Sequence, residues 1–225
     1  MQKYNCFTII FSSSASVYKT KGSGFLKESD SLEPCTPYGK TKLTIESILK
    51  DLFESDCTNK WRIANLRYFN PAGAHESGLL GENPKFHSLN LFPSIIRSID
   101  GLQKKLQIFG KDWPTGDGTC IRDFIHVMDL AEAHMATLDY LNNTNPQILI
   151  MNVGTGKGTS VLEVIKTFQR VNHIHLSYEY VERRLGDQPF VVADNSLALK
   201  LLNWRPKRNL INMCRDYFHI KRNFN

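Results

Sequence analysis

Apolar positions along the chain follow two spacings in turn. Residues 7–11 form a short continuous apolar run that ends in serines, the pattern of a buried parallel strand stopping at a turn. After the loop punctuated by Pro34 and Pro37, residues 38–53 carry Leu43, Ile45, Ile48, Leu49, Leu52 and Phe53 at three- and four-residue spacing. That spacing predicts a long amphipathic helix. Residues 61–69 read as a second strand, ended by Asn70-Pro71. Residues 72–88 hold glycine and proline without a period, and an unstructured stretch of that length is more often functional than idle. Beyond it the pattern predicts a helix at 89–99, a short strand at 106–109, a turn-rich stretch at 111–119 and a strand at 121–125. A helix at 127–141, a strand at 147–153, a helix at 161–171 and a strand at 176–181 follow, and helices at 196–202 and 210–220 close the chain. Strands alternating with helices imply an α/β fold built on a mostly parallel sheet.

Composition narrows the function classes. The 225 residues are 41% hydrophobic and 22% charged, within the ordinary globular range. No apolar run approaches the roughly 18 to 20 residues of a membrane span. The first apolar run is too short for a signal peptide and no small-residue cleavage site follows it, so a soluble cytoplasmic protein is expected. The net charge of +6 raises nucleic acid as a partner. The basic residues are dispersed, however, in only short clusters such as Lys104-Lys105, Arg183-Arg184 and Lys207-Arg208. A solvated surface fits better, with a basic pocket for a diphosphate as the remainder. Five cysteines without a Cys-x-x-Cys pair indicate neither a disulfide framework nor a zinc site. His126 and His134, eight apart on one predicted helix, are too distant to share a metal.

Tyr38 and Lys42 lie four residues apart at the start of the long helix and so share a face. A phenol titrates near 10 when unperturbed, and a nearby ammonium and a helix N-terminus both favour its phenolate. Such a tyrosine becomes a usable general base. The spacing alone equally describes an interfacial tyrosine beside a surface lysine. The serine run supplies context, because a hydroxyl at the carboxyl end of a parallel strand lies where α/β folds place ligands. The glycines of the segment 154–160 lack the Walker spacing, and their expected role is a tight turn with Thr159 or Ser160 capping the next helix. No glycine fingerprint for a dinucleotide pyrophosphate occurs in a first strand-to-helix turn.

Ser14, Tyr38 and Lys42 together resemble the catalytic triad of the short-chain dehydrogenase/reductases. The resemblance sharpens over four blocks: Phe11-Ser12-Ser13-Ser14-Ala15-Ser16-Val17-Tyr18, Pro37-Tyr38-Gly39-Lys40-Thr41-Lys42, Leu66-Arg67-Tyr68-Phe69-Asn70-Pro71-Ala72-Gly73-Ala74, and Arg122-Asp123-Phe124-Ile125-His126-Val127-Met128-Asp129-Leu130-Ala131. These are similar, in order, to the UDP-glucose 4-epimerase family. The likeness covers essentially the whole chain and the later two thirds or so of a family member, leaving out the glycine fingerprint and first strands.

The resemblance implies the C-terminal part of a Rossmann-like parallel sheet plus a smaller α/β substrate-binding domain. Residues 1–75 would belong to the NAD-binding domain and 76–225 mainly to the nucleotide-sugar domain, with some segments returning to the first. It implies NAD as cofactor, a UDP-sugar as substrate and a homodimer for a complete protein. By the same resemblance Tyr38, Lys42 and Ser14 are catalytic: Tyr38 as base, Lys42 on the nicotinamide ribose, Ser14 on the reacting oxygen. Ser12, Ser14, Tyr38, Lys42 and Phe69 would meet the cofactor. Ser14, Ser16, Asn70, Asn90, Leu91, Phe109, Arg122, Arg184 and Asp187 would meet the UDP-sugar. Lys19 stands where the family usually has glycine, so that turn is expected to differ. Val191 stands where some members place a tyrosine, which leaves room for a 2-N-acetyl group on the sugar. Two alternatives stay open: a nucleotide-sugar dehydratase or decarboxylase, and a binding protein without turnover. Ala15 and Ser16 after Ser14 argue against a 4,6-dehydratase, which needs an acidic pair there.

Overall fold

A computed structural model describes residues 1–19, 22–82 and 90–223. In chain order its strands are β1 (Thr8–Ser14), β2 (Arg62–Tyr68), β3 (Asn70–Ala72), β4 (Leu106–Phe109), β5 (Ile121–His126), β6 (Gln147–Val153), β7 (Gly158–Ser160), β8 (Tyr178–Val181) and β9 (Phe190–Val191). Its α-helices are α1 (Pro37–Glu54), α2 (Leu91–Ile99), α3 (Val127–Asn142), α4 (Val161–Asn172), α5 (Ser196–Leu202) and α6 (Leu210–Asn223). The end of the predicted loop at 83–88 and the first residue of the predicted helix, Leu89, lie outside the described residues.

The main sheet is parallel in the order β1-β2-β6, with Ser14 opposite Tyr68 and Tyr68 opposite Val153. Strand β2 is central and covered on both faces, so its five inner residues are all buried, the polar Asn65 and Arg67 included. Side chains alternate across it. Ala64 and Leu66 join Leu130, Ala133, Met151 and Trp204 in one core, while Ile63 joins Leu49 of α1 and Trp61 in another. A second sheet centres on β5, which pairs with β3 and β9 in parallel and with β7 in antiparallel. Strands β4 and β8 form a separate parallel pair, Leu106 opposite Tyr178. Around them Phe92, Ile95, Ile108, Phe168 and Tyr217 build the largest apolar cluster. The protein is an α/β fold with a Rossmann-like parallel sheet.

Three sequence expectations change. Asn70-Pro71 does not end the strand run but moves it to the second sheet, where Asn70 pairs with Phe124. Strands β7 and β9 span only three and two residues, too short to give a period. His126 and His134 do not share a helix: His126 ends β5 and is the N-cap of α3, its Nδ1 accepting from the Met128 amide at 3.1 Å. The glycine-bearing turn is held by buried Asp123, whose carboxylate accepts from the Thr155 and Gly156 amides at 2.8 and 2.9 Å. Ser160 then caps α4 by accepting from the Glu163 amide at 3.0 Å. No helix among the described residues is long and apolar enough to cross a membrane.

A buried polar network ties the first layer together. Arg67, 1% exposed, makes a forked pair with Glu46 of α1, Nε to Oε1 at 3.0 Å and Nη2 to Oε2 at 2.6 Å. Ser13 donates to the same Oε1, and Arg67 Nη1 donates to the Tyr18 hydroxyl at 3.1 Å. Tyr18 in turn donates to Asn152 Oδ1 at 2.6 Å. Burial pushes the Tyr18 phenol up to about 12, so it remains a neutral donor at physiological pH.

Two substitutions test this packing. A methyl group at Gly39 would stand 2.3 Å from the Ser16 carbonyl oxygen, so only glycine lets α1 approach the serine turn this closely. Alanine gains about 1 kcal/mol in helix propensity. Overpacking against a backbone atom costs roughly 1–3 kcal/mol, and the net loss should appear as a lower urea midpoint for Gly39→Ala. The second site is Asn65, fully buried in β2, whose amide nitrogen and oxygen both lack a partner among the described residues. A desolvated, unpaired polar group costs roughly 1–3 kcal/mol, so Asn65→Leu should raise the urea midpoint. An unchanged or lower midpoint would mean that the amide is satisfied.

Candidate active site

Local sequence rules set the Tyr38–Lys42 pair in place. Thr36 is the N-cap of α1 and accepts from the Gly39 amide at 3.0 Å, with Pro37 in the first turn. Tyr38 therefore lies in the opening turn, 56% exposed, and Lys42 one turn later. The Lys42 ammonium donates to the Ser12 carbonyl at 2.9 Å. It also lies 5.4 Å from the Tyr38 ring centre and 5.1 Å from that of Phe11. The strand end and the helix start thus meet through one lysine, as parallel α/β architecture allows.

The serine run divides its work by alternation along β1. Ser13 turns inward to Glu46. Ser14 is buried, accepts from the Ser16 amide at 3.1 Å and donates to Ser16 Oγ at 3.0 Å. Ser12 is exposed, and its hydroxyl shares a 2.7 Å hydrogen bond with Tyr68.

Beside this turn opens a cavity of about 210 Å³ whose walls include Ser14, Ser16, Phe69, Asn70, Arg122, Asp187 and Val191. Thr36, two residues before Tyr38, is also in the wall. At the far side Arg122 Nη1 donates to the Gln188 carbonyl at 2.7 Å, and Nη2 reaches Asp187 Oδ1 at 3.4 Å. Arg184 Nε donates to Asp187 Oδ2 at 2.9 Å, and its guanidinium stacks on the Phe109 ring at 4.4 Å. Two guanidiniums against one carboxylate leave the cluster positive, suited to an anion between them.

Of the sequence candidates, Ser14, Ser16, Phe69, Asn70, Arg122 and Asp187 line one cavity. Arg184 and Phe109 join it through Asp187 and a stacked ring. Tyr38, Lys42 and Ser12 gather beside the serine turn. Asn90 and Leu91 are not among the wall residues. They begin α2, where Asn90 is the N-cap and Leu91 packs against the large apolar cluster. Sequence reasoning missed Tyr18, Cys35, Thr36 and Gln188 as wall residues. Of these, Thr36-Pro37 carried a readable signal, an N-cap followed by a first-turn proline. It also missed His134, whose Nε2 is hydrogen-bonded to the Tyr68 hydroxyl.

Comparison with known proteins places this geometry. The NAD dependent epimerase/dehydratase family matches residues 1–154. A UDP-glucose 4-epimerase of Bacillus subtilis is 45% identical over 217 residues, covering 96% of this chain and 63% of that protein. A UDP-glucose 4-epimerase structure from Stenotrophomonas maltophila, with bound NAD and formylated UDP-arabinopyranose, is 42% identical with a TM-score of 0.94, covering 100% of this chain and 66% of that one. One from Bifidobacterium longum, in complex with NAD+ and UDP, is 42% identical with a TM-score of 0.91, covering 99% and 66%. The chain therefore spans just under two thirds of the length of these relatives. A serine turn, an exposed tyrosine and a strand-seated lysine are accordingly features of a chain that belongs to the NAD dependent epimerase/dehydratase family.

Proposed function

We propose that the site interconverts UDP-glucose and UDP-galactose by 4-epimerisation through a 4-keto sugar. The observation that carries this reading is the meeting of Tyr38, Lys42 and the serine turn beside a cavity that ends in Arg122, Asp187 and Arg184. In this reading a hexose is held between a base and a diphosphate clamp. The polar groups fit the nicotinamide-ribose end of NAD: an ammonium at the strand end, an exposed phenol, and the Ser12 hydroxyl oxygen, which can accept from a ribose hydroxyl. When bound, NAD supplies the acceptor and the donor of the hydride.

Tyr38 takes the proton of the sugar 4-hydroxyl and later returns it to the 4-oxygen. Lys42 holds positive charge beside Tyr38 and binds the ribose. Ser14 presents its hydroxyl at the cavity wall to the same sugar oxygen, exchanging the bond it makes with Ser16. Phe69 supplies an apolar wall on the cofactor side, and Asn70 and Ser16 hydrogen-bond the sugar-nucleotide. Arg122 and Arg184 pair with diphosphate oxygens, Asp187 accepts from ribose hydroxyls, and Phe109 lies where the uracil stacks. Asn90 and Leu91 serve the uridine from the start of α2.

Residues 1–75 are proposed as the cofactor portion and 76–225 as mainly the sugar-nucleotide portion. The return of β6, α3 and α5 to the first sheet and its core supports the crossing of segments between them. Exposed Ile45 and Ile48 on α1 support a homodimer. Five unbridged cysteines support a cytoplasmic setting.

A second reading, sugar-nucleotide binding without turnover, rests on the Arg122–Asp187–Arg184 cluster alone, which would hold a diphosphate whether or not hydride is transferred. Purified chain supplied with NAD and UDP-galactose separates the two. Epimerisation predicts UDP-glucose formation and retained NAD. Tyr38→Phe should then slow conversion by roughly 10²-fold or more, the usual share of a general base, while UDP affinity by calorimetry is unchanged. UDP binding with neither NAD nor product would leave the second reading standing.

Val191 in the cavity wall generates another expectation. The epimerising protein should also turn over UDP-N-acetylglucosamine, and Val191→Tyr should cut that turnover about tenfold or more, the order of discrimination a filled apolar pocket gives. Undetectable turnover of the acetylated sugar beside measurable UDP-galactose conversion would sink the idea.

A further inference from the structure

Behind Lys42 runs a hydrogen-bonded chain whose inner members, Tyr68 and His134, the proposed chemistry does not use. Lys42 Nζ donates to the Ser12 carbonyl at 2.9 Å, and the Ser12 hydroxyl is 2.7 Å from the Tyr68 hydroxyl. Tyr68 is hydrogen-bonded to His134 Nε2, and the two rings meet edge to face with centres 5.3 Å apart. The other ring nitrogen of His134, Nδ1, lies 2.9 Å from the Leu130 carbonyl. The chain thus crosses from α3 through β2 to the end of β1 and on to α1.

Donor and acceptor logic gives this chain a direction. A backbone carbonyl can only accept, so His134 Nδ1 carries the proton and donates to Leu130. In the neutral ring Nε2 is then an acceptor. The single Tyr68 proton goes to Nε2, and the Ser12 hydroxyl must donate to Tyr68. Ser12 is therefore held by both of its oxygens, the carbonyl under Lys42 and the hydroxyl under Tyr68. Burial raises the Tyr68 phenol above its ordinary value, outweighing the bond to Ser12, and a charged Tyr38 would push it the same way. Tyr68 therefore stays neutral and keeps the proton the chain needs.

We propose that His134 is a positioning residue: by accepting the Tyr68 proton it commits the Ser12 hydroxyl inward, and so fixes the strand-end carbonyl that seats Lys42 beside Tyr38. The proposal rests on the reading of Tyr38 and Lys42 as the reacting pair, but its test needs no turnover. A helix residue of the opposite layer would then set the lysine position through two hydroxyls, without touching substrate or cofactor.

The experiment is nuclear magnetic resonance on the chain itself, reading the ¹⁵N signals of the His134 ring and the ¹³Cε signal of Lys42, the latter assigned with Lys42→Arg. The expected wild-type ring is the Nδ1–H tautomer with Nε2 unprotonated. In His134→Phe and in Tyr68→Phe the Lys42 signal should move while the other lysines stay, and His134→Gln, whose side-chain oxygen can accept from Tyr68, should restore it. An Nε2–H ring in the wild type, or a Lys42 signal unmoved in the folded variants, overturns the proposal. The wild-type tautomer decides even if a variant fails to fold. Where the chain epimerises, His134→Phe should lower kcat about tenfold or more with KM for UDP-galactose unchanged, the pattern of a misplaced reacting group. Spectra as expected together with no turnover would count against the epimerase reading and leave the lysine seat standing.

Discussion

Everything near the serine turn depends on one buried ion pair. Arg67 lies in the central strand with 1% of its surface exposed, and Glu46 faces it from α1 at 5%. Two charges at that depth are costly unless each is fully hydrogen-bonded, and removing one partner of such a pair commonly costs about 3–5 kcal/mol. Here the carboxylate takes both arms of the guanidinium and the Ser13 hydroxyl, while the remaining guanidinium nitrogen reaches Tyr18 and the Glu28 carbonyl. A pair of this kind adds little net stability over an apolar substitute, but it has few tolerated geometries. It therefore fixes the rotation of α1 over the sheet. Glu46 is one turn beyond Lys42 and two beyond Tyr38, so that rotation also aims the tyrosine and the lysine.

The arginine end of the site, proposed to hold the sugar-nucleotide, is built on a different principle. Asp187 carries both arginines there, one through Arg122 Nη2 and one through Arg184 Nε. Without an anionic ligand the carboxylate keeps the guanidiniums from repelling each other. In the proposed reading an entering diphosphate would find two oriented donors whose partner can turn to a ribose hydroxyl. The first end hangs on an ion pair that is almost wholly buried, the second on partly exposed pairs, a contrast that would suit the differing needs of the proposed bond making and binding.

The long elements were legible in the sequence because each buries a regular face. Helices α1, α3 and α4 and strands β1, β2 and β6 all show their period. Strands β7 and β9 were not legible, since a two- or three-residue strand is defined by its partner and not by its own pattern. His126 was misread because the apolar spacing of α3 runs on past its cap, and only the bond from the Met128 amide marks the boundary. At the site, Tyr38, Lys42 and Ser14 could be singled out through the resemblance that the surrounding blocks carry, since the spacing alone equally describes a surface pair. The roles of Ser12, Tyr68 and His134 could not, since their link depends on which side chains face each other across two strands and a helix. Asn65 is a further limit: a polar residue in an apolar strand gives no sign in the sequence that it goes unpartnered.

Strand β1 pairs with β2 and with no other strand among the described residues. Lys42 already occupies the Ser12 carbonyl of that strand. The same ammonium thus serves two partners at once, a backbone acceptor and the face of a phenol ring. Replacing it with a neutral residue would do more than remove a positive charge from Tyr38. It would also leave the Ser12 carbonyl without its donor, so that a loosened strand end could pass for a chemical defect until the fold around β1 is checked.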